Sequence, residues 1–316
     1  MRILFFGTTT FAARIFESLV AAGYACVGVV TRPDKPQGRG QKIDSPPVKL
    51  VAQKILPGIP VYQPIKASSD EAFIASIQKL KSKEDPLLFV VVAYGEILKQ
   101  NLLDMPDVTP YGAINIHASL LPKYRGAAPI HRALQNGEQE SGVTIIEMVR
   151  EMDAGAMLGK AIVEIGQRMT FPELEEVLCA AACTLLPQVL AQIESAGVDA
   201  LAQNPADVTF AAKITPEEYR IDWSKGARDI DLQIRSLRGS YCLALIDGKE
   251  MRLKILEAHP DPSLPPLSPG EMALKEGLIG TGTCPLKLLR IQLEGKPPSL
   301  YKEFVNGYSD RLNKIK

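Results

Sequence analysis

The sequence lacks the long apolar runs of a membrane protein and the cysteine pattern of an exported one. Four consecutive apolar residues, 3–6, precede Gly7, too few for the core of a signal peptide. No apolar run approaches the roughly 20 residues that cross a bilayer. The five cysteines are scattered and odd in number, which favours reduced thiols over a disulfide framework. We therefore expect a cytoplasmic protein with no membrane partner.

Histidine is scarce, and the chain has no net charge. The three histidines are dispersed. Cys179 and Cys183 stand four apart in a helical pattern without a second ligand pair, so we expect no metal. Lysine plus arginine and aspartate plus glutamate number 36 each, so the bulk charge does not indicate a polyanionic partner. Basic residues are concentrated locally instead, six of them within residues 31–54 and three within 123–132, which predicts basic patches.

The first thirty residues predict a β-α-β unit. Residues 2–6 and 25–30 are apolar runs typical of buried strands, and Phe11, Ile15 and Leu19 recur between them at helical spacing. The turn after the first run has one glycine and not G-x-G-x-x-G, which disfavours a dinucleotide site. We therefore predict an α/β fold whose N-terminal domain is Rossmann-like and doubly wound.

The length of 316 residues favours two domains. Residues 203–207 have the composition of a linker, which places the boundary near 205 and divides the chain into domains 1–204 and 205–316. Short strand-like runs follow the boundary, and Asp247-Gly248 is a hairpin signal between two of them. Strands of this number and length predict a small β-barrel.

Two polar side chains stand at the end of a predicted strand near the middle of the chain. The apolar run 113–116 places Asn115 and His117 two positions apart, so on a strand both point to the same face. Further on, Asp153 stands two residues before Gly155 in a loop where a carboxylate can orient or charge a histidine. Taken alone, these residues also fit a capped strand end and a turn carboxylate.

The same residues carry a family resemblance. Asn-x-His at 115–117, followed by Ser-Leu-Leu-Pro at 119–122 and Asp-Ala-Gly at 153–155, resembles the formyltransferases that use 10-formyltetrahydrofolate. The longer matches at 125–130 and 142–145 are similar to the members of that family that act on methionyl-tRNA. The resemblance implies formyl transfer from the folate co-substrate to the amino group of initiator methionyl-tRNA, in support of translation initiation, and we expect a monomer.

The resemblance also implies roles for single residues. The expected catalytic residues are Asn115, His117 and Asp153, as donors to an oxyanion and as a proton shuttle. The residues expected to contact the folate are Glu96, Ile97 and Leu98 in one segment and Ser119, Leu120, Leu121 and Pro122 in another. Without the flanking motif, the leucines would be read as core residues.

The basic segment 31–47 is expected to contact the tRNA. It is punctuated by prolines and glycines, so it can be neither a helix nor a central strand. The resemblance implies that its Pro-Asp-x-Pro and Gly-Arg-Gly pieces form an arm that contacts the acceptor arm of tRNA, whereas by itself the segment also fits a solvated loop. The expected tRNA-binding residues are Lys35, Arg39, Lys42 and Arg125.

The C-terminal part resembles the family less closely. The Ile-Asp-Trp sequence at 221–223 is similar to the opening of the family's second domain, which implies an OB-like β-barrel, but residues 238–241 are Arg-Gly-Ser-Tyr where Asn-Pro-Trp-Pro is expected. Two other functions stay open. One is a folate-dependent formyltransferase for a small amine such as an amino sugar or glycinamide ribonucleotide, and the other is a non-catalytic nucleotide- or RNA-binding protein. Formyl transfer assayed with several acceptors separates them.

Overall fold

The computed structural model describes residues 1–37, 42–82, 84–308 and 311–315, and of residues 37, 42, 43 and 312–314 it describes only the backbone. The chain forms two compact units. The first unit comprises Met1–Gly126, Glu140–Glu164 and Glu175–Ala211. The second unit comprises Ala127–Gln139, Ile165–Leu174 and Ala212–Lys316.

The described residues form 18 strands and 8 α-helices. The strands are β1 (Arg2–Gly7), β2 (Ala25–Val30), β3 (Lys35–Gln37), β4 (Lys42–Asp44), β5 (Val61–Tyr62), β6 (Leu87–Val92), β7 (Ala113–His117), β8 (Arg125–Gly126), β9 (Glu140–Glu147), β10 (Met157–Glu164), β11 (Phe210–Ala211), β12 (Tyr241–Ile246), β13 (Lys249–Pro260), β14 (Met272–Ala273), β15 (Leu278–Ile279), β16 (Leu286–Leu293), β17 (Ser299–Leu300) and β18 (Leu312–Ile315). The α-helices are α1 (Thr10–Ala21), α2 (Pro47–Ile55), α3 (Glu71–Leu80), α4 (Gln100–Leu103), α5 (Pro129–Gln135), α6 (Phe171–Glu194), α7 (Ala227–Ser236) and α8 (Tyr301–Tyr308).

The main sheet of the first unit has the order β10-β9-β7-β6-β1-β2-β5. The pairs from β5 to β7 are parallel, and β9 and β10 are antiparallel to their neighbours. The chain runs from the central β1 outward through β2 and then returns to β6 on the other side of β1. In open α/β sheets such a reversal leaves a crevice beyond the carboxyl ends of the strands, where ligands bind. The predicted α/β class is confirmed.

The β-α-β unit at the N-terminus forms as predicted. Strand β1 is buried along almost its whole length, and the Thr9 side chain caps α1 by accepting a hydrogen bond from the Ala12 amide at 3.3 Å. Gly7 stands where a Cβ would lie 2.7 Å from the Ala12 Cβ, so strand and helix can approach closely. The Phe6 ring packs on Phe89 and Tyr94 at centroid distances of 5.0 and 5.6 Å. This packing fixes the carboxyl end of β6.

Helix α6 is the one helix in the described part of the chain that is long and apolar enough, by length and composition, to cross a membrane. Its part within the first unit is packed inside that unit. Four residues at four-residue spacing are buried, namely Leu178, Ala182, Leu186 and Leu190. Gly159 of β10 gives Val189 and Leu185 room, since a Cβ there would lie 2.7 Å from a Val189 methyl carbon. These four apolar side chains of α6 thus pack within the protein.

In the described parts of the basic segment, residues 31–37 and 42–46, there is neither a helix nor a central strand, as predicted. A short antiparallel ladder between β3 and β4, which the sequence did not predict, pairs Lys35 with Asp44 and Gln37 with Lys42 in a sheet of its own. Next to this ladder, Lys49 forms a salt bridge with the Asp34 carboxylate at 2.6 Å. Arg39 lies outside the described residues.

The second unit is an antiparallel sheet covered by helices. Its strand order is β14-β15-β16-β13-β12-β18, with β17 on β16, and α7 packs on β13. The Asp247-Gly248 hairpin joins β12 to β13 with φ values of 50° and 76°, a two-residue turn of the predicted kind. Within the described residues no ladder joins β14 to β18. The structure therefore shows an antiparallel sheet domain and not a closed barrel.

The segment with linker composition, 203–207, belongs to the first unit. Strand β11 pairs in parallel with β8. The Arg125 amide donates to the Thr209 carbonyl at 2.9 Å, and the Tyr124 amide donates to the Thr209 hydroxyl at 2.8 Å. The packing of the first unit therefore continues to Ala211.

Candidate active site

The three predicted catalytic residues lie together at the carboxyl end of β7. Asn115 and His117 point to the same face of the strand, as their spacing predicts. The Asn115 amide nitrogen lies 3.4 Å from Asp153 Oδ1, and His117 Nδ1 lies 3.6 Å from the same oxygen. Asp153 comes from the loop between β9 and β10, 36 residues after His117. One carboxylate oxygen thus faces both side chains of β7.

The second ring nitrogen of His117 determines how the ring is used. Nε2 lies 2.8 Å from the Tyr124 carbonyl oxygen. A carbonyl oxygen can only accept, so Nε2 carries a proton and donates it. Nδ1 is left facing the Asp153 carboxylate, 3.6 Å from Oδ1. The ring is 6% exposed, so it has little freedom to turn. The nitrogen available for proton transfer is therefore Nδ1.

Asp153 is held from two sides in an unusual backbone conformation. Its φ is 54°, in the left-handed region that residues other than glycine seldom adopt. Its Oδ2 accepts a hydrogen bond from the Gly126 amide at 2.8 Å. A Cβ on Gly155 would lie 1.9 Å from the Glu147 carbonyl oxygen, so only glycine lets this loop lie against the end of β9. The loop is therefore held tightly beside β7.

The Ser-Leu-Leu-Pro segment contains two residues that build the turn and two that are partly exposed. The Ser119 hydroxyl donates to the Lys123 carbonyl at 2.7 Å, and Leu121 is fully buried against Ile146 and Met157. Thr144 also fixes the turn. Its hydroxyl donates to the Ser119 carbonyl at 2.7 Å and accepts from the Leu121 amide at 3.1 Å. The partly exposed pair, Leu120 and Pro122, is what this segment can offer to a ligand.

The segment after β6, residues 94–98, likewise contains residues that hold the structure and one that is exposed. Glu96 is a structural anchor, since its carboxylate accepts from the Ala67 amide and pairs with Arg32, both at 3.0 Å. Leu98 is buried, whereas Ile97 is 66% exposed. Strands β6 and β7 are parallel neighbours, so the segments that follow them lie beside each other at the carboxyl ends of these strands. Ile97 and the local backbone are the groups presented there.

The predicted tRNA-binding residues do not form one described group. Lys35 is exposed on β3. Arg39 lies outside the described residues, and so does the Lys42 side chain. Arg125 is 8% exposed, and its guanidinium donates to the Gln203 side-chain oxygen from Nε at 3.0 Å and from Nη2 at 2.8 Å. Its described contacts thus lie inside the first unit.

Sequence reasoning missed several residues that hold the site. Tyr124, Gln203 and Thr144 contribute through backbone groups or a neutral side chain, which leave no charge or spacing pattern to find. Arg32 had a usable signal, because it is a basic residue two positions after the end of the apolar run that forms β2. In the part of the chain that the structure describes, no group of three or more His, Cys, Asp or Glu side chains could hold a metal ion.

Comparison with known proteins identifies the family. Residues 1–190 match the family model described as formyl transferase, and residues 213–309 match the model of the formyl transferase C-terminal domain. The chain therefore belongs to the formyl transferase family.

Its relatives within that family include methionyl-tRNA formyltransferases. The one from Protochlamydia amoebophila is 41% identical over 316 residues, which cover 98% of this chain and 96% of the relative. The one from a Synechococcus species is 38% identical over 319 residues, with 97% and 95% covered. A solved structure, the sugar 3N-formyl transferase WlaRD in the presence of dTDP and 5-N-formyl-THF, has a TM-score of 0.65 at 17% identity and covers 94% of this chain and 99% of its own. At that identity the likeness shows the shared fold.

Proposed function

We propose that this protein transfers the formyl group of 10-formyltetrahydrofolate to the free amino group of initiator methionyl-tRNA in the cytoplasm, and so supports translation initiation. The observation that carries the proposal is the shared Asp153 oxygen, 3.4 Å from Asn115 and 3.6 Å from His117. The relatives support the acceptor, since both are methionyl-tRNA formyltransferases matched over nearly their full length.

Asn115 and His117 stabilise the charge that develops in the reaction. The attacking amine forms a C–N bond to the formyl carbon, the bond from that carbon to N10 of the folate breaks, and the formyl oxygen carries negative charge in between. Asn115 supplies an amide N–H, and the protonated His117 ring supplies a positive charge. Removing one such preorganised donor costs roughly 100- to 1,000-fold in rate in other enzymes.

Asp153 and His117 move the proton that the reaction releases. The amine must lose a proton as its new bond forms, and N10 must gain one as it leaves. Nε2 is committed to the Tyr124 carbonyl at 2.8 Å, so the exchange uses Nδ1 and the facing carboxylate. Because Asp153 and His117 are both largely buried, with side chains 11% and 7% exposed, their interaction is screened little by water.

The folate is proposed to lie along the carboxyl ends of β6 and β7. Ile97, Leu120 and Pro122 offer apolar surface, and the backbone of residues 94–98 offers hydrogen-bonding groups. Glu96, Leu98, Ser119 and Leu121 belong to the same two segments and shape them from inside. The position agrees with the general rule that ligands of open α/β sheets bind beyond the strand ends.

The tRNA is proposed to contact both domains. Lys35, Arg39 and Lys42 on the basic arm would bind phosphates of the acceptor arm. Arg125 was predicted as a fourth such residue, but its contacts with Gln203 favour a role inside the catalytic domain. We assign catalysis to the first domain and tRNA binding to the C-terminal antiparallel sheet domain, and the exposed Arg252 and Lys254 on β13 support that assignment. The active form is proposed to be the monomer.

Acceptor choice tests the proposal. Purified protein with 10-formyltetrahydrofolate is offered initiator methionyl-tRNA, an amino-sugar nucleotide or glycinamide ribonucleotide, with uncharged tRNA as the control. We expect formyl transfer to methionyl-tRNA alone. Transfer to a small amine and none to methionyl-tRNA would replace the proposed acceptor, and transfer to none of them would favour a binding protein.

A further inference from the structure

We propose that Gln203 is a positioning residue for the catalytic carboxylate of Asp153, and that Arg125 orients it. The proposal rests on the function proposed above. Gln203 lies 50 residues from Asp153 along the chain, in the segment whose composition suggests only a linker. Its side chain nevertheless connects that segment to the Asp153 loop.

The amide of Gln203 is saturated by partners. Its nitrogen donates to the Asp153 carbonyl at 2.7 Å and to the Gly155 carbonyl at 2.8 Å. Its oxygen accepts from Arg125 Nε at 3.0 Å and from Nη2 at 2.8 Å. A glutamine amide has two donor hydrogens and two acceptor positions, and all four are used here.

The partners permit one orientation of the amide. A guanidinium can only donate, so it must face the Gln203 oxygen. Two backbone carbonyls can only accept, so they must face the nitrogen. Arg125 therefore sets the direction of the amide, and because it is 8% exposed its hold on Gln203 is shielded from water.

These bonds act where the loop needs restraint. Asp153 has a φ of 54°, a conformation that persists in a side-chain-bearing residue only when its surroundings hold it. Gln203 holds the carbonyl of this residue, and the Gly126 amide holds Oδ2 at 2.8 Å. Both interactions depend on adjacent residues of β8. Arg125 orients the Gln203 amide that binds the Asp153 carbonyl, and Gly126 provides the amide that binds Oδ2. The position of Oδ1 beside Asn115 and His117 follows from the two together.

The 201–211 segment holds this arrangement from outside. Leu201 exchanges backbone hydrogen bonds with Met157 at 2.8 and 2.9 Å, just beyond the Asp153 loop. The Thr209 hydroxyl and carbonyl accept from the amides of Tyr124 and Arg125 at 2.8 and 2.9 Å. Gln203 lies between these two attachment points, so its backbone is fixed at both sides.

The Gln203→Glu variant separates positioning from packing. The carboxylate keeps the shape of the side chain and its pairing with Arg125, but it replaces the donor by an oxygen that repels the two carbonyls. We expect kcat for formylation of methionyl-tRNA to fall at least about 10-fold, since small misplacements of catalytic groups have large effects on rate. KM for the folate should change less than about 2-fold. Amide hydrogen exchange in residues 150–156 should become faster, while exchange in β7 stays as in the parent.

Gln192→Glu is the matched control, because it makes the same chemical change at an exposed position on α6 in the same unit. It should leave kcat and the exchange in residues 150–156 unchanged. If Gln203→Glu does not fold, Arg125→Met replaces it, since it frees the amide to turn while leaving Gln203 in place.

The two proposals fail in different ways. A parent protein that does not formylate methionyl-tRNA overturns the proposed function, while the exchange measurement still tests the positioning role. A parent that formylates methionyl-tRNA, with a Gln203→Glu variant of equal kcat and unchanged exchange in the loop, overturns the role of Gln203. A loss confined to the melting temperature, with kcat retained, assigns Gln203 to stability and overturns it as well.

Discussion

His117 Nε2 donates a hydrogen bond to the carbonyl oxygen of Tyr124 over 2.8 Å, and Tyr124 has a φ of 64°. The other partner of the ring, Asp153, also has a positive φ. Both groups that orient the histidine thus come from backbone in the left-handed region, which costs free energy and is typical of functional sites. The residues that orient His117 therefore need contacts of their own that keep their backbone in this conformation.

Replacing His117 should abolish most of the activity. We expect His117→Ala to lower kcat roughly 100-fold or more, because the side chain acts mainly in the transition state, and to leave folate binding nearly unchanged. Steady-state kinetics and a folate titration measure this. The matched control is His259→Ala, a histidine in the second unit whose side chain is 47% exposed. Near-parent turnover of a folded His117→Ala protein would remove His117 from the mechanism.

Gly155→Ala should damage the site through the backbone. A Cβ at this position would lie 1.9 Å from the Glu147 carbonyl oxygen, so the Asp153 loop must move away from β9. Overpacking of this kind costs about 1–3 kcal/mol of unfolding free energy, and kcat should fall with it. Gly166→Ala is the control, because the nearest atom to its Cβ is a flexible methionine carbon at 3.9 Å. Equal denaturation midpoints and equal kcat for both variants would contradict the argument.

Arg39 on the basic arm should matter for tRNA and not for folate. We expect Arg39→Ala to raise KM for methionyl-tRNA about 10-fold, since a hydrogen bond between charged groups contributes about 1.5 kcal/mol or more. The dissociation constant of the folate should not change. Lys79→Ala, an exposed cation near the end of α3, serves as the control. If folate affinity falls equally, the arm supports the folate site instead.

Arg252 and Lys254 should contribute to the salt dependence of tRNA binding. They are exposed and two positions apart on β13, so they share a face, and the cross-strand partners Leu243 and Tyr241 lie beside them. Replacing both by alanine should make the slope of log K against log salt shallower by about 1.5, because each phosphate contact contributes roughly 0.7 to 0.9. Binding titrations at several salt concentrations measure the slope.

The control for that patch replaces two exposed lysines elsewhere, Lys79 and Lys275, by alanine. It makes the same change in net charge. An equal change of slope in the control would mean that overall charge, and not the patch on β13, determines the salt dependence.

Cys183 should be alkylated faster than Cys26 and Cys242. A hydrogen bond from the neighbouring Cys179 lowers the pKa of Cys183 to about 6, whereas burial raises the pKa of Cys26 and Cys242 to about 12. Because the thiolate is the reactive form, alkylation of Cys183 should rise as the pH increases through about 6 and be lost below it. Peptide mapping after brief treatment with iodoacetamide at pH 7 identifies the first site. Faster modification of Cys26 than of Cys183 would contradict the assignment.

Local pattern was sufficient for much of the fold. The alternation and length of apolar runs predicted β1, β2 and β7 with small errors at their ends, because burial of a strand demands a continuous or alternating apolar pattern. The Asp247-Gly248 turn was predictable since its two positive φ values need such residues. Strand β10 was missed because the polar residues Lys160 and Glu164 leave only a three-residue apolar stretch between them, and because the strand lies at the edge of the sheet.

By itself, the sequence determined which chemical groups are available and that Asn115 and His117 share a face, because side chains alternate along any strand. Only the tertiary structure decided how those groups are held. The Tyr124 carbonyl, the Gly126 amide and the Gln203 side chain reach the site through contacts that leave no pattern in the sequence, and Gln203 is 50 residues from Asp153, whose backbone carbonyl it binds. The tertiary structure also decided that Arg125, which the sequence predicted to bind tRNA, lies buried against Gln203. Backbone hydrogen bonds depend on where the chain returns in space, and that is settled by packing of the whole unit.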